Sequence, residues 1–197
     1  LIQPLRETAR IPDSVNDPTI AAEYAVQELH MSVVERLLLK ELQNVTPRHN
    51  DILTELLSID FAEIWTTNFD TLIEELVDDL ECIVEEDDYG RPPEHKARRL
   101  TKLHGSLSRD NTGKMMWKEY PIIARSHYEQ YEQTHPLKWA MLRAQFLTSS
   151  FLFLGFSFTD PNVNMLLRIV RSLPPKIRRL PHFAIMRTPD DSIQERE

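Results

Sequence analysis

Three short polar clusters carry the residues of this sequence best suited to chemistry. They are Thr66-Thr67-Asn68-Phe69-Asp70, His104-Gly105-Ser106, and the run from Gly155 through Ser157, Asp160 and Pro161 to Asn162. Thr, Asn and Asp side chains hydrogen-bond to ribose hydroxyls and to a carboxamide. A glycine lets the backbone come close to a ligand. A histidine, with an ordinary pKa of about 6.5, takes up a proton near neutrality. Other chemistries are poorly served. No acidic pair at glycosidase spacing is evident. The seven histidines (His30, His49, His95, His104, His127, His135, His182) are dispersed, with no pair at the i, i+4 spacing of a helical zinc site. A G-x-S-x-G nucleophile turn is absent, because Gly155-Phe156-Ser157 lacks the second glycine. Each cluster also has an ordinary structural reading. Asn68 and Asp70 suit a helix cap, His104-Gly105 a turn, and Asp160-Pro161 an N-cap followed by a first-turn proline.

The elements that must position these clusters follow from hydrophobic spacing. Residues 1–18 are dotted with Pro and Asp and read as loop. From Ala21 to Gln43 the pattern predicts one long helix, with Val26, Leu29, Val33 and Leu37 on one stripe and Val34, Leu38 and Leu42 on the next. Thr46-Pro47 is a helix start, and Ile52, Leu53, Leu56 and Leu57 form the buried face of that helix. Phe61–Thr67 predicts a strand, Thr71–Leu80 a helix and Cys82–Val84 a short strand. Glu85–Arg99 reads as loop, Leu100–Leu103 as a strand and Ser108–Lys118 as a surface excursion. Helices are expected over Ser126–Thr134 and Leu137–Ser149.

Phe151–Leu154 is apolar on both alternating faces and ends at Gly155, the pattern of a central strand covered on both sides and hence of a parallel sheet. A helix from Pro161 to Ser172 and a last strand over His182–Met186 come next, with the basic run Lys176 to Arg179 between them as a solvated loop. Strands alternating with helices predict an α/β fold built on an open sheet. Ligands bind such sheets outside the carboxyl ends of the strands. All three polar clusters come directly after predicted strands, so the rule lines them along one crevice.

Composition sets the outer bounds. The 197 residues are about the length of one domain, with 41% hydrophobic and 27% charged residues, a soluble globular profile. Lys and Arg number 23 against 31 Asp and Glu, a net charge of −8 that argues against a dedicated nucleic-acid binder. No run is long and apolar enough for a transmembrane helix. The start, without Met, lacks the layout of a signal peptide, and the end stops on polar residues. The sequence therefore reads as an excerpt of a longer protein, expected in a reducing cytoplasm. The single cysteine, Cys82, excludes an internal disulfide and a zinc site built on cysteines. The four glycines, Gly90, Gly105, Gly113 and Gly155, exclude a Gly-rich phosphate loop within these residues.

Taken together, TTNFD at 66–70, KLHGS at 102–106 and FLGFSFTDPN at 153–162 resemble the sirtuin-like domains of prokaryotic defence proteins. The segment Ile122-Ile-Ala-Arg-Ser-His-Tyr128, with Tyr131 beyond it, resembles the stretch after His-Gly in that group, and the likeness covers roughly residues 20 to 186. The resemblance implies a single sirtuin-like domain over 1–197. Its fold is expected to be α/β and Rossmann-like, an open, mostly parallel sheet with helices on both faces. It implies NAD+ as substrate and no metal. By position, Asn68 and His104 would be catalytic. Thr66, Thr67, Asp70, Gly105, Gly155, Ser157, Asp160 and Asn162 would bind NAD+.

Two departures from the sirtuin pattern shape the expected activity. Protein-deacylating sirtuins carry a four-cysteine zinc ribbon after His-Gly, and this chain has no cysteine there. The glycine loop that holds the pyrophosphate in sirtuins also has no match here and, with the C-terminal end, is expected to lie outside the excerpt. The implied activity is that of an NAD+ glycohydrolase, acting as the toxic effector of an anti-phage, abortive-infection system. The alternative is an inert sirtuin-like scaffold or nucleotide-sensing module. Expected partners are further copies of the chain or a fused or neighbouring sensor, nucleic-acid sensors among them. No membrane contact and no direct nucleic-acid binding by this domain are expected.

Overall fold

The computed structural model describes residues 2–43, 50–90, 98–155, 161–172 and 180–185; at residues 50, 162, 169, 170 and 172 it describes the backbone. The chain forms two compact units, Leu1–Lys138 and Trp139–Glu197.

The first unit begins with three helices, α1 (Ile2–Thr8), α2 (Pro18–Leu29) and α3 (Met31–Leu42). The loop expected over 1–18 is therefore half helix. Leu5, fully buried, anchors α1 in a cluster with Ile11, Ala21, Ala25, Val34 and Leu38, and that burial outweighs the local loop signals of Pro4 and the polar residues after it. Asp17 starts α2, its carboxylate accepting from the Thr19 and Ile20 N–H groups at 2.8 and 3.4 Å, with Pro18 in the first turn. The single helix expected over 21–43 is two. His30 breaks it with φ +63° and ψ 149°, a conformation a non-glycine residue rarely adopts. The break lets alanines of α2 and the Val34 and Leu38 stripe of α3 face one cluster. Thr46-Pro47 lies outside the described residues. In α4 (Asn50–Leu57), Leu57 is buried, but Ile52 is 63% exposed and does not belong to the expected buried face.

Then comes the parallel sheet. β1 (Glu63–Thr66), α5 (Leu72–Leu76), β2 (Leu80–Ile83), a 3-10 turn at Glu86–Gly90 and β3 (Arg98–Lys102) appear in that order. The strands pair β1-β3-β2, all parallel. The helix expected over Thr71–Leu80 is shorter, because Leu80 already pairs with Arg98 as the first residue of β2. Likewise the loop expected over Glu85–Arg99 contains the 3-10 turn and the first residues of β3. β3 is central. Its Arg99 faces Glu63 on one side and Glu81 on the other, with N–O distances of 3.9 and 3.0 Å. Charge complementarity between neighbouring strands thus helps fix the register of a sheet with little apolar sequence.

The expected surface excursion at Ser108–Lys118 is an antiparallel hairpin, β4 (Ser106–Arg109) and β5 (Met115–Glu119). Its turn is closed by Asp110, whose carboxylate accepts from the Thr112 and Lys114 N–H groups, with Gly113 at φ +82°. The single helix expected over Ser126–Thr134 is two short ones, α6 (Arg125–Glu129) and α7 (Tyr131–Thr134), and α8 (Pro136–Thr148) follows at the expected break at Pro136.

In the second unit, β6 (Leu152–Leu154), α9 (Pro161–Ser172) and β7 (Phe183–Ile185) form a parallel pair with its crossover helix. Phe146 of α8 packs on Phe151, Phe153 and His182, at centroid distances of 4.3, 6.0 and 5.4 Å. Among the described residues β6 pairs with β7 alone, and Leu152 and Leu154 are each 37% exposed. Among the described strands, the one flanked on both sides is β3. An apolar run of this length states a preference for burial but not which strands flank it. The run Lys176 to Arg179 lies outside the described residues.

Leu5 tests the unexpected first helix. Leu5→Ala is expected to cost about 2–5 kcal/mol of unfolding free energy by urea titration. Leu137→Ala, at a residue 49% exposed, is expected to change it by less than about 0.5 kcal/mol.

Candidate functional site at the carboxyl ends of two paired strands

β1 and β3 run parallel with Thr66 opposite Lys102, so the loops after them leave the sheet from the same edge. The pairing continues past the strands: the Leu103 N–H donates to the Thr66 carbonyl and the Leu107 N–H to the Phe69 carbonyl, both at 2.9 Å. Two of the three sequence clusters, Thr66–Asp70 and His104–Ser106, therefore stand side by side.

Within the first loop, the Asn68 N–H donates to the Thr66 hydroxyl at 3.1 Å, while Asn68 itself is exposed and Thr67 half-buried. Asp70 accepts from the Leu72 N–H at 3.2 Å, so the helix-capping reading of Asp70 is part of its role. Phe69 is buried and meets Trp117 of β5 edge-on, at 5.5 Å and 80°. The Trp117 indole N–H in turn donates to the Glu35 carbonyl of α3 at 3.1 Å. The N-terminal helices thereby reach the loop through one aromatic pair.

His104 is 5% exposed. Its backbone is pinned on both sides: the Tyr131 hydroxyl donates to the Leu103 carbonyl at 2.7 Å, and the Ile122 N–H to the His104 carbonyl at 2.8 Å. Its ring meets Tyr128 and Tyr131 edge-on, with centroids 5.2 and 6.2 Å away. Tyr131 stacks on His135 at 4.6 Å, and Glu119 joins His135 (3.5 Å) to the buried Lys138 ammonium (2.6 Å). Burial pushes the Lys138 pKa down, against the pull of Glu119. Gly105 has φ +96°, and a Cβ there would sit 2.4 Å from the Tyr120 carbonyl oxygen and 2.8 Å from that of Glu119. The close approach that requires this glycine is to the protein's own hairpin.

α6, which carries Tyr128, is held to α2 by Glu23. That carboxylate accepts from the Ser126 N–H at 3.0 Å and hydroxyl at 2.7 Å. Burial alone would raise the Glu23 pKa; the Ser126 hydrogen bonds outweigh it and hold the carboxyl below its ordinary range.

The third cluster belongs to the second unit. Gly155 comes after β6 with φ +60°, with no atom of another described residue within 4 Å of where a Cβ would sit, and Asn162 lies in the first turn of α9. Ser157 and Asp160 lie outside the described residues. An open cleft of about 650 Å³ in that unit is lined by Phe153, Arg168, Arg171, His182 and Phe183 among others, and none of the described candidate site residues is among its lining. Among the described residues no group of three or more His, Cys, Asp or Glu could hold a metal ion, and no helix is long and apolar enough to cross a membrane. Sequence reasoning missed Lys102, a lysine only 1% exposed that reaches the first loop. Its signal was a cation at the end of an otherwise buried strand.

A parallel α/β unit with hydroxyl, amide, carboxylate and imidazole groups at adjacent strand ends has groups suited to a nucleotide-type ligand at the edge where such folds bind them. The SIR2-like domain model matches residues 62–197, and the chain belongs to that family, which places it among Rossmann-like α/β folds. It is 33% identical over 141 residues to the NAD(+) hydrolase ThsA of Enterococcus faecium, covering 67% of this chain and 27% of that protein. It is 30% identical over 175 residues to the NAD(+) hydrolase ThsA of Acinetobacter baumannii (strain 532279), covering 81% and 32%. It is also 28% identical over 155 residues to Defense-associated sirtuin 2 of Bacillus subtilis, covering 74% and 14%. The chain thus spans a third or less of the length of these relatives.

Two substitutions test the geometry. Gly105→Ala is expected to lose at least about 2 kcal/mol of stability, from the positive φ and the backbone overlap together; urea unfolding measures it. For Glu23, a folded carboxyl more acidic than the unfolded one gives a stabilisation complete at neutral pH. It is lost as pH falls through the folded titration. The margin of wild type over Glu23→Gln should therefore shrink between about pH 7 and pH 3, read by unfolding titrations at both.

Proposed function

We propose that this domain hydrolyses NAD+ to nicotinamide and ADP-ribose, as the toxic effector of an anti-phage, abortive-infection system. The observation that carries the reading is the placement of Asn68 and Asp70 beside His104 at the ends of two paired parallel strands. The names of the relatives support the substrate and the biological setting. Carried with it are one Rossmann-like open sheet with helices on both faces, a cytoplasmic location, and gating by self-association or by a sensor.

In the proposed reaction the bond between nicotinamide and C1′ of the ribose breaks through an oxocarbenium-like transition state. Nicotinamide leaves with the bonding pair as a neutral amide, and water adds to C1′. Asn68 orients the ribose or the water, Asp70 and the threonines hold hydroxyls, and His104 takes the proton. Gly155, Ser157, Asp160 and Asn162 serve the adenosine side. Nicotinamide is a good leaving group, so positioning and one proton transfer supply the acceleration.

The test is NAD+ consumption by the whole protein that carries this domain, with nicotinamide and ADP-ribose quantified by chromatography. Asn68→Ala and His104→Ala are each expected to lower kcat by about 10²-fold or more. Full activity in both variants would overturn the site. Wild type that binds NAD+ without turnover would establish the inert sensing module instead.

A further inference from the structure

Lys102 ends the central strand two residues before His104, and its side chain is only 1% exposed. From there its ammonium donates to the backbone carbonyl of Asp70 in the neighbouring loop. It also pairs with Glu74 of α5 at 3.0 Å. The second oxygen of Glu74, Oε2, is buried and has no hydrogen-bond partner among the described residues. Burying a cation and a carboxylate costs more desolvation than their attraction reliably returns, and an apolar pair of similar volume often serves stability as well or better. Stability is therefore a poor account of this pair. Its location is a better one: Lys102 is a rigid strand residue whose ammonium grips the loop from Thr66 to Asp70 from below.

We propose that Lys102 is a positioning residue, which with Glu74 fixes the Asn68–Asp70 loop at its working distance from His104. The inference rests on the NAD+ hydrolase reading for what the loop does, but not for how the loop is held. Lys102 belongs to the same strand as His104, so one residue ties the loop to the strand that carries the base. Removing the ammonium frees the Asp70 carbonyl and the start of α5, and Asn68 then loses its fixed relation to the imidazole.

The test compares wild type, Lys102→Met, and the double variant Lys102→Met/Glu74→Leu in the whole protein. Lys102→Met leaves the partly buried Glu74, 21% exposed, without its partner and should lower Tm. The double variant, with an apolar pair, should bring Tm back toward wild type. Its kcat should stay low, by about 10²-fold, as expected for a misplaced catalytic loop. In parallel, amide hydrogen exchange should show lost protection at Asn68 and Leu72 while the α3 amides of Leu37 and Leu38 keep theirs, a local effect that general destabilisation does not produce. A double variant with restored Tm, wild-type turnover and unchanged protection at Asn68 and Leu72 would overturn the proposal. If wild type fails to consume NAD+, the hydrolase reading falls. The exchange data still decide this one, with retained protection overturning it and lost protection upholding it. Should the double variant not fold, Glu74→Gln keeps the shape and removes the charge. Protection lost at those two amides alone upholds the proposal, and unchanged protection overturns it.

Discussion

The parallel ladder that sets Thr66 opposite Lys102 fixes the origin of both motif loops, and the site depends on that register. In a strand, neighbouring side chains point to opposite faces. A slip of one residue would turn Lys102 away from the loop it grips and break the hydrogen bond from Leu103 to the Thr66 carbonyl. Little apolar sequence enforces this register, since β1 and β3 read Glu-Ile-Trp-Thr and Arg-Arg-Leu-Thr-Lys. Charge does part of the work instead. Arg99 between Glu63 and Glu81 locks all three strands at one level, and Leu100, fully buried, sets the next. The register and the site geometry are thus one constraint.

A second layer of contacts holds the two loops from outside the sheet. Phe69 reaches Trp117, and Trp117 reaches the backbone of α3, so the N-terminal helices bear on the loop that carries Asn68. On the other side Tyr131 binds the Leu103 carbonyl and forms one wall against the His104 ring, while Gly105 lets the hairpin backbone pass close by. Some of these contacts use backbone groups of a motif residue or of its neighbour, and others meet the Phe69 and His104 rings themselves.

The motif clusters and the α/β alternation were legible because their signals are local: polar residues after short β-rich runs, and helical spacing between them. The strand at 98–102 was partly legible, since Leu100 and Leu103 mark it, but its central position was not. Its two arginines fell in an expected loop, and only partners distant in sequence hold its cations: the Leu57 and Ile59 carbonyls for Arg98, Glu63 and Glu81 for Arg99, and Glu74 with the Asp70 carbonyl for Lys102. The apolar run at 151–154 misled in the opposite sense, because hydrophobicity alone does not give strand order. The helix at Ile2–Thr8 was hidden for the same reason: Leu5 is one apolar residue among prolines and charges, and its partners are distant in sequence. His30 divides two helices by a backbone conformation that no propensity favours. Gly105 is needed for the passage of its own chain rather than for ligand approach, and that distinction depends on the distant residues Glu119 and Tyr120.

The charge balance near the site bears on which part of a dinucleotide belongs there. Three cations of this unit are each held by a carboxylate of the protein: Lys102 by Glu74, Arg99 by Glu63 and Glu81, and Lys138 by Glu119. These ammonium and guanidinium groups are therefore engaged in structure. The strand ends offer a ligand hydroxyl, amide, carboxylate and imidazole groups. In the proposed reaction these groups meet a sugar and a carboxamide, and the Asp70 carboxylate disfavours a pyrophosphate beside it. In the proposed reaction the nicotinamide–ribose half of NAD+ is the part that fits. The phosphates require donors other than these side chains, the backbone N–H groups of a loop or helix start being the ordinary solution. The acidity of the chain as a whole then poses no conflict with an anionic substrate, because the end that reacts carries the positive charge.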